Sequence, residues 1–161
     1  CFQLNFSQTA MVIQWHVVAM FAPSLFTGSL IGRIGAQPVM LAGCGLNLGG
    51  IAVSLMGVEL HHFALALILI GAGWNFLYVG ATSLLTETYR PEEKIRIQAF
   101  NDTVVFLGVT LVTMFSGTLV NRLGWQSVNL YAAVPVLLVM GLILRQTPWS
   151  RISWRRLHER A

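Results

Sequence analysis

Residues 63–85 read FALALILIGAGWNFLYVGATSLL and contain no charged side chain. A helix of about 20 apolar residues crosses the roughly 30 Å hydrocarbon core of a lipid bilayer. An open β-sheet at that depth would leave the polar backbone groups of its edge strands unpaired, whereas a helix pairs them within itself. This stretch therefore predicts a transmembrane helix.

Four further apolar stretches flank this one, at about 10–32, 39–57, 98–120 and 128–144. The connections between them are short, so consecutive helices are expected to cross the membrane in alternate directions. The fold predicted from this pattern is an all-α integral membrane protein with five transmembrane helices. The helices form one bundle over residues 1–145, and a basic tail follows over residues 146–161.

The composition excludes the common alternatives to a membrane protein. Of the 161 residues 55% are hydrophobic and only 10% charged, and the mean hydropathy is +0.68. A soluble domain carries about 25% charged residues, and disorder requires low hydrophobicity. Cys1 and Cys44 provide neither a disulfide framework nor metal-ligand spacing. Because the sequence opens with Cys1 and not with Met, we expect a piece of a longer chain.

The basic residues indicate an orientation in the membrane. The net charge is +4, but no basic stripe follows a soluble helix, so a nucleic-acid partner is not expected. One side of the bundle receives Arg122 alone. The other receives Arg33, Arg90, Lys94, Arg96, Arg145, Arg151, Arg155, Arg156 and Arg160. The positive-inside rule then predicts a protein of the plasma (inner) membrane. Its N-terminal end lies outside the cell and its C-terminus lies in the cytoplasm. The tail suits an anionic lipid surface or is simply solvated.

Polar residues inside the predicted spans mark candidate positions of a solute cavity, because they are costly in hydrocarbon unless they face protein or water. The candidates are Gln14, His16, Ser24 and Thr27 in the first span, Trp74, Asn75, Tyr78 and Thr82 in the third, and Thr103, Phe106 and Thr110 in the fourth. Hydrogen bonding between helices is the alternative interpretation, and it is preferred for the threonines. For Asn75 both interpretations stay open.

Three ionisable positions need separate interpretation. His16 lies beside an interfacial Trp and is more simply a hydrogen-bonded packing residue than a proton carrier. Asp102 is expected to pair with Arg33 or Arg96. His61 is followed directly by a second histidine in an outer loop, which is poor spacing for a helical metal site, so no metal is expected there.

The small residues of the first two spans form two GxxxG patterns. The second span carries glycines most densely, at residues 43, 45, 49 and 50, and Gly45 and Gly49 make one pattern. Gly28 and Gly32 make the other at the end of the first span. Such patterns allow helices to approach closely in lipid. Tight packing and a hinge or sliding surface are both compatible with them.

The segment GSLIGRIG at residues 28–35 resembles the loop signature G-x-L-a-D-r-x-G-r-r of the major facilitator superfamily. Gly28, Leu30, Arg33 and Gly35 match it, and Gly32 stands in the place of the acid. Residues 87–96 resemble the cytoplasmic loop between helices ten and eleven of that family, and residues 124–135 its entry into the last helix. The resemblance aligns the five spans with helices eight to twelve, in the C-terminal half of the fold.

The resemblance implies a secondary transporter that moves a small solute by alternating access, as an importing permease or an efflux protein. It implies a missing N-terminal half as partner, and a proton is one candidate for the coupling ion. It also implies a cytoplasmic latch between Arg33 and Glu87, although these are equally two solvated charges. The motif residues near this latch are Gly28, Gly35, Arg96 and Asp102.

Two further classes of function remain to be weighed. The sequence contains no P-loop, nucleophile elbow or zinc-binding H-E-x-x-H motif, so neither an enzyme nor a cofactor is expected. A structural or assembly membrane protein without a transport cycle is the alternative to a transporter.

Overall fold

The computed structural model describes residues 5–57 and 59–146, and this part of the chain is almost entirely helical. Its helices are α1 (Phe6–Phe21), α2 (Ser24–Ile34), α3 (Ala36–Met56), α4 (Leu60–Thr86), α5 (Lys94–Leu123) and α6 (Trp125–Gln146). No strand occurs among these residues, which confirms the prediction of an all-α protein. Apart from Gln146, the predicted basic tail lies outside the described residues.

Five helical segments are long and apolar enough to cross a membrane, as the sequence predicts. They are Phe6–Ile34, Ala36–Met56, Leu60–Thr86, Pro91–Leu123 and Trp125–Gln146. Most of them extend beyond the predicted apolar stretches. The reason is that polar side chains at a helix end do not interrupt the backbone hydrogen bonds of the helix.

The first span contains a break that the sequence analysis did not predict. The sequence predicts one helix over residues 10–32. In the structure α1 ends at Phe21 and α2 begins at Ser24. Pro23 lies between them. Its ring carries no N–H and crowds the preceding turn, so it interrupts the ladder of helical hydrogen bonds. The first span is therefore two shorter helices in succession.

Single glycines connect two pairs of spans. Gly35 joins α2 to α3 with a φ of 89°, and Gly124 joins α5 to α6 with a φ of 79°. Residues with a Cβ rarely adopt this left-handed conformation, so glycine permits a turn of one residue. The connection before α5 is longer and ends in a 3₁₀ turn, Pro91–Glu93. The end of the bundle that holds Gly35 and this 3₁₀ turn is called the Gly35 end below.

Helix α4 occupies the centre of the described bundle and packs against both α3 and the broken first span. Its contact with α3 is a close approach of two backbones. A Cβ added to Gly43 would lie 3.0 Å from the carbonyl oxygen of Gly73, and one added to Gly50 would lie 2.9 Å from that of Ala66. Helix α6 covers the other side of α3, where Ile143 packs with Met40 and Cys44.

The two GxxxG patterns do not make the close helix contacts that one interpretation of them predicts. A Cβ added to Gly28, Gly32 or Gly45 would meet nothing within 4 Å among the described residues. One added to Gly49 would only reach a Leu69 methyl group at 4.0 Å. The contact with α4 instead uses the other two glycines of the second span, which lie two turns apart on α3. The tight packing expected of the small residues in this span is therefore found at these two positions and not at the GxxxG pairs.

Helix α5 lies at the edge of the bundle. None of its residues is buried within the described structure. It packs mainly against α6 and has few close backbone approaches to α4. The space between α4 and α5 is therefore bridged by side chains, among them Tyr78, Asp102 and Phe106.

Candidate functional site

The break in the first span is stabilised by a hydrogen bond from α4. The Nδ2 atom of Asn75 donates to the carbonyl oxygen of Met20 over 2.7 Å, and Ser24 Oγ donates to that of Phe21 over 2.5 Å. Both carbonyls belong to the last turn of α1, where a helix has no partners of its own to offer. Asn75 therefore acts as a cap for a helix that is remote from it in the sequence.

The same amide group also binds α2. Thr27 Oγ1 lies 2.7 Å from Asn75 Oδ1 and 2.8 Å from the carbonyl oxygen of Pro23, so the hydroxyl proton is placed between two acceptors. Asn75 is 4% exposed and Thr27 1% exposed. This arrangement supports the interhelical interpretation of both residues. Contact between Asn75 and a solute stays a prediction.

His16 lies where α1 crosses α4. Its Nδ1 atom is 2.6 Å from the carbonyl oxygen of Leu67, so this nitrogen carries the proton and donates it. One turn further along α4, a Cβ added to Gly71 would lie 2.7 Å from the carbonyl oxygen of His16. These contacts join the His16 side chain and backbone to the backbone of α4. They support the interpretation of His16 as a packing residue.

Closer to the Gly35 end, α4 and α5 are joined through Tyr78. Its phenol donates to Asp102 Oδ1 over 2.8 Å, and Asn101 Nδ2 donates to the same oxygen over 3.2 Å. The predicted pairing of Asp102 with Arg33 or Arg96 is wrong: in residues 5–57 and 59–146 neither arginine forms an ion pair with it. Arg96 is neither three nor four residues from Asp102, so the two side chains leave α5 in different directions.

Two further aromatic rings contact the ring of Tyr78. Trp74 and Tyr78 are one turn apart on α4, with ring centroids 5.8 Å apart and planes only 12° from parallel. Phe106 on α5 lies 6.3 Å from Tyr78 and is tilted by 53°. Phe106 is 55% exposed, so this aromatic surface is open on the side of α5. Such rings bind flat apolar groups by offset stacking or edge contacts.

A cavity of about 360 Å³ adjoins Tyr78 on its other side, between α2 and α4. Gly28, Ile31 and Thr82 contribute to its walls. The Thr82 hydroxyl is buried and has no hydrogen-bond partner within the described ranges. We refer to Trp74, Tyr78, Thr82, Asp102 and Phe106 together as the Tyr78 site.

The other predicted cavity residues are not brought into this site. Thr103 and Thr110 are exposed, and each hydroxyl donates to a carbonyl one turn earlier in α5, over 2.7 Å and 2.8 Å respectively. Gln14 is exposed on α1. Ser24 belongs to the helix break described above. The sequence analysis listed Trp74, Tyr78, Thr82 and Phe106 but did not foresee Asp102 as the partner of Tyr78.

The predicted latch is open in this structure. Arg33 lies in the last turn of α2 and Glu87 directly after α4, both exposed. No ion pair joins them in the part of the chain that the structure describes. The alternative of two solvated charges fits this structure, and a latch in another state of the protein stays a prediction. Gly35 has the left-handed conformation that suits the last glycine of the motif.

The opposite end of the bundle holds a group that the sequence analysis considered only in part. Glu59 Oε2 lies 3.3 Å from His61 Nδ1, and one possible ligand atom from each of Glu59, His61 and His62 lies within 4.8 Å of the others. The expectation of no metal rested on the histidine pair alone and overlooked Glu59. Glu59 and His61 are largely exposed, and their mutual contact accounts for their closeness.

Five long apolar helical segments with a polar site between helices indicate a multi-pass membrane protein. The chain belongs to the Major Facilitator Superfamily, whose family model matches residues 2–156. The family predicted from the motifs is therefore confirmed.

Curated relatives cover most of the chain. It is 41% identical over 86% of its length to "Riboflavin transporter RfnT" of Brucella anthropi, and the match spans 35% of the length of that protein. It is 28% identical over 96% of its length to "Uncharacterized MFS-type transporter YddS" of Bacillus subtilis, covering 34% of it. It is 28% identical over 86% of its length to "H(+)/hexose cotransporter 2" of Parachlorella kessleri, covering 26%. The chain thus spans about a third of these relatives or less. No solved structure matches it.

Proposed function

We propose that this chain is part of a secondary transporter that moves a small solute across the plasma membrane by alternating access. The Tyr78 site is the observation that carries the proposal. It holds a carboxylate, a phenol and two further aromatic rings between helices that few backbone contacts join. A carboxylate within a span is costly in lipid and typically marks a solute or ion pathway. Transport, with no enzymatic step or cofactor, is the activity that such a site supports.

The solute we propose is riboflavin. Support comes from the relative named as a riboflavin transporter, at 41% identity over most of this chain. The rings of Trp74, Tyr78 and Phe106 add independent support, because a flavin is a flat heteroaromatic molecule that stacks on such surfaces. A hexose, suggested by the name of a relative at 28% identity, has no flat ring and would use the three aromatic residues less fully.

We also propose that the Gly35 end faces the cytoplasm and that an upstream half completes the transporter. The orientation follows from the basic residues, which gather at this end. The missing half is supported by the share of the relatives that the chain spans, 35% and 34% for two of them. A proton is the coupling ion we propose to test, because one relative is named an H(+)/hexose cotransporter.

The test is riboflavin flux through the full-length protein. We expect purified protein in liposomes to give saturable riboflavin uptake and counterflow, with empty liposomes as the control. If a proton is coupled, an imposed pH gradient should raise the rate and an uncoupler should abolish that increase. Absence of saturable flux in both directions, in preparations whose correct folding is shown by a cooperative thermal transition, would contradict the proposal.

A further inference from the structure

We propose that Asp102 is the residue that recognises an N–H group on the ring of a planar heterocyclic solute, while Trp74, Tyr78 and Phe106 bind the ring itself. This inference rests on the proposed function, because it assigns a binding role within the same site. It goes further because it names the chemical group that is recognised, a ring N–H, and the residue that recognises it, Asp102.

The two oxygens of Asp102 have different partners. Oδ1 accepts from Tyr78 over 2.8 Å and from Asn101 over 3.2 Å. No hydrogen bond reaches Oδ2 from the residues that the structure describes. A carboxylate has about four acceptor positions, so half of its capacity is unused. The two donors fix the carboxyl group in orientation and leave one oxygen available to a ligand.

The surroundings leave Asp102 accessible to a donor that belongs to a flat ring. In residues 5–57 and 59–146 no arginine, lysine or histidine forms an ion pair with Asp102. The nearest ring contacts are those of Tyr78 with Trp74 and Phe106, which present flat apolar surfaces. A solute that stacks on these rings and donates one hydrogen bond at its edge would satisfy both features. Carboxylates read the N–H edges of nucleic-acid bases in the same way.

The position in the helices allows a solute to arrive. Tyr78 and Asp102 each lie eight residues, about 12 Å, from the helix end nearest the Gly35 end, at Thr86 and Lys94 respectively. Phe106 is 55% exposed on the open side of α5, and the cavity of about 360 Å³ reaches Tyr78 from the side of α2. The site is thus inside the span yet open on two sides.

The experiment compares riboflavin with riboflavin methylated on its imide nitrogen, the one ring N–H of the oxidised flavin. Full-length protein in liposomes is assayed for the KM and maximal rate of both compounds. One hydrogen bond to a charged acceptor corresponds to a difference of about ten- to a hundredfold. The wild-type protein should therefore show a KM for riboflavin lower by about that factor. In Asp102→Leu this discrimination should disappear, with the KM for riboflavin rising towards that of the methylated compound.

Two more variants separate recognition from general damage. Tyr78→Phe keeps the ring but removes the hydroxyl that orients Asp102, so it should reduce the ratio of the two KM values several-fold. Ser116→Ala is the control on α5, because the Ser116 hydroxyl bonds only to the carbonyl of Thr113 at a distance from the site. It should retain full discrimination.

The outcomes distinguish this inference from the proposed function. Riboflavin flux with undiminished discrimination in Asp102→Leu would overturn the role of Asp102 and leave riboflavin transport standing. An equal loss of transport for both compounds, without any change in their ratio, would also overturn it, since Asp102 would then serve coupling or folding. No saturable flux of either compound by the wild-type protein would overturn both.

Discussion

Asn75 shows how one polar residue in a membrane span is explained by the backbone of another helix. Its amide nitrogen donates to the carbonyl oxygen of Met20, and its amide oxygen accepts from the hydroxyl of Thr27. Both partners lie close to the break at Pro23. A proline-broken helix in lipid requires such donors from neighbouring helices, because water is absent. The residue therefore holds the two halves of the first span against α4.

Replacing Asn75 by leucine should destabilise the protein more than it weakens solute affinity. Asn75→Leu leaves the carbonyl oxygen of Met20 and the hydroxyl of Thr27 buried without this partner, at a cost of about 1–3 kcal/mol. We expect a lower Tm for the full-length protein in detergent. Asn129→Leu is the matched control, because the Asn129 amide bonds to the carbonyl of Trp125 in its own helix.

The contrary result would restore the role in solute binding that the sequence left open for Asn75. That result is an unchanged Tm together with a raised KM for riboflavin. The sequence alone could not decide between the two interpretations. It shows that an amide lies at the centre of a span, but the carbonyl it caps belongs to a residue 55 positions away.

At the scale of helices, the apolar pattern predicts which segments form and fails to predict how they touch. All five spans could be located from hydrophobic runs, because lipid forces the backbone into helices wherever such runs occur. The break at Pro23 has a local signal that was overlooked. The contacts of α4 have no such signal, since a glycine that meets another backbone and one that faces open space look alike in the sequence.

A pair of glycine substitutions tests these contacts. Gly71→Ala places a Cβ 2.7 Å from the carbonyl oxygen of His16, whereas Gly45→Ala places one where nothing lies within 4 Å among the described residues. The backbone of α1 must move in the first variant, which costs about 1–3 kcal/mol. We expect a lower Tm for Gly71→Ala and an unchanged or higher Tm for Gly45→Ala, because alanine also favours the helix. Equal effects of the two substitutions would show that α1 and α4 are further apart than described here.

Four of the five residues of the Tyr78 site were candidates in the sequence analysis, but the hydrogen bond that joins them to Asp102 was not foreseen. A spacing of four residues puts Trp74 and Tyr78 on one face of α4, so their proximity could be inferred from the sequence. The link to Asp102 crosses to a helix that α4 barely contacts. Charge alone suggested an arginine partner for Asp102, and the geometry provides a phenol and an amide in its place.

At the scale of the whole molecule, the described bundle has two sides that nothing covers. No residue of α5 is buried, and in α1 only Val12 is buried. Large apolar side chains such as Phe26, Phe100 and Met114 are more than 70% exposed. Lipid covers apolar side chains, but it does not complete a solute path, which in secondary transporters lies between two sets of helices.

The isolated chain should therefore bind to membranes yet transport nothing. Residues 1–161 in liposomes are expected to give no saturable flux of riboflavin, while the full-length protein gives it under the same conditions. The reason is that the Tyr78 site is open on the side of α5, so a solute bound there has no second half to close over it and alternate its access. Supplying the remaining part of the protein as a separate chain in the same membrane should restore flux. Saturable flux from residues 1–161 alone would show that five spans suffice for transport. The solute path would then lie within the described bundle and not at a boundary between two halves.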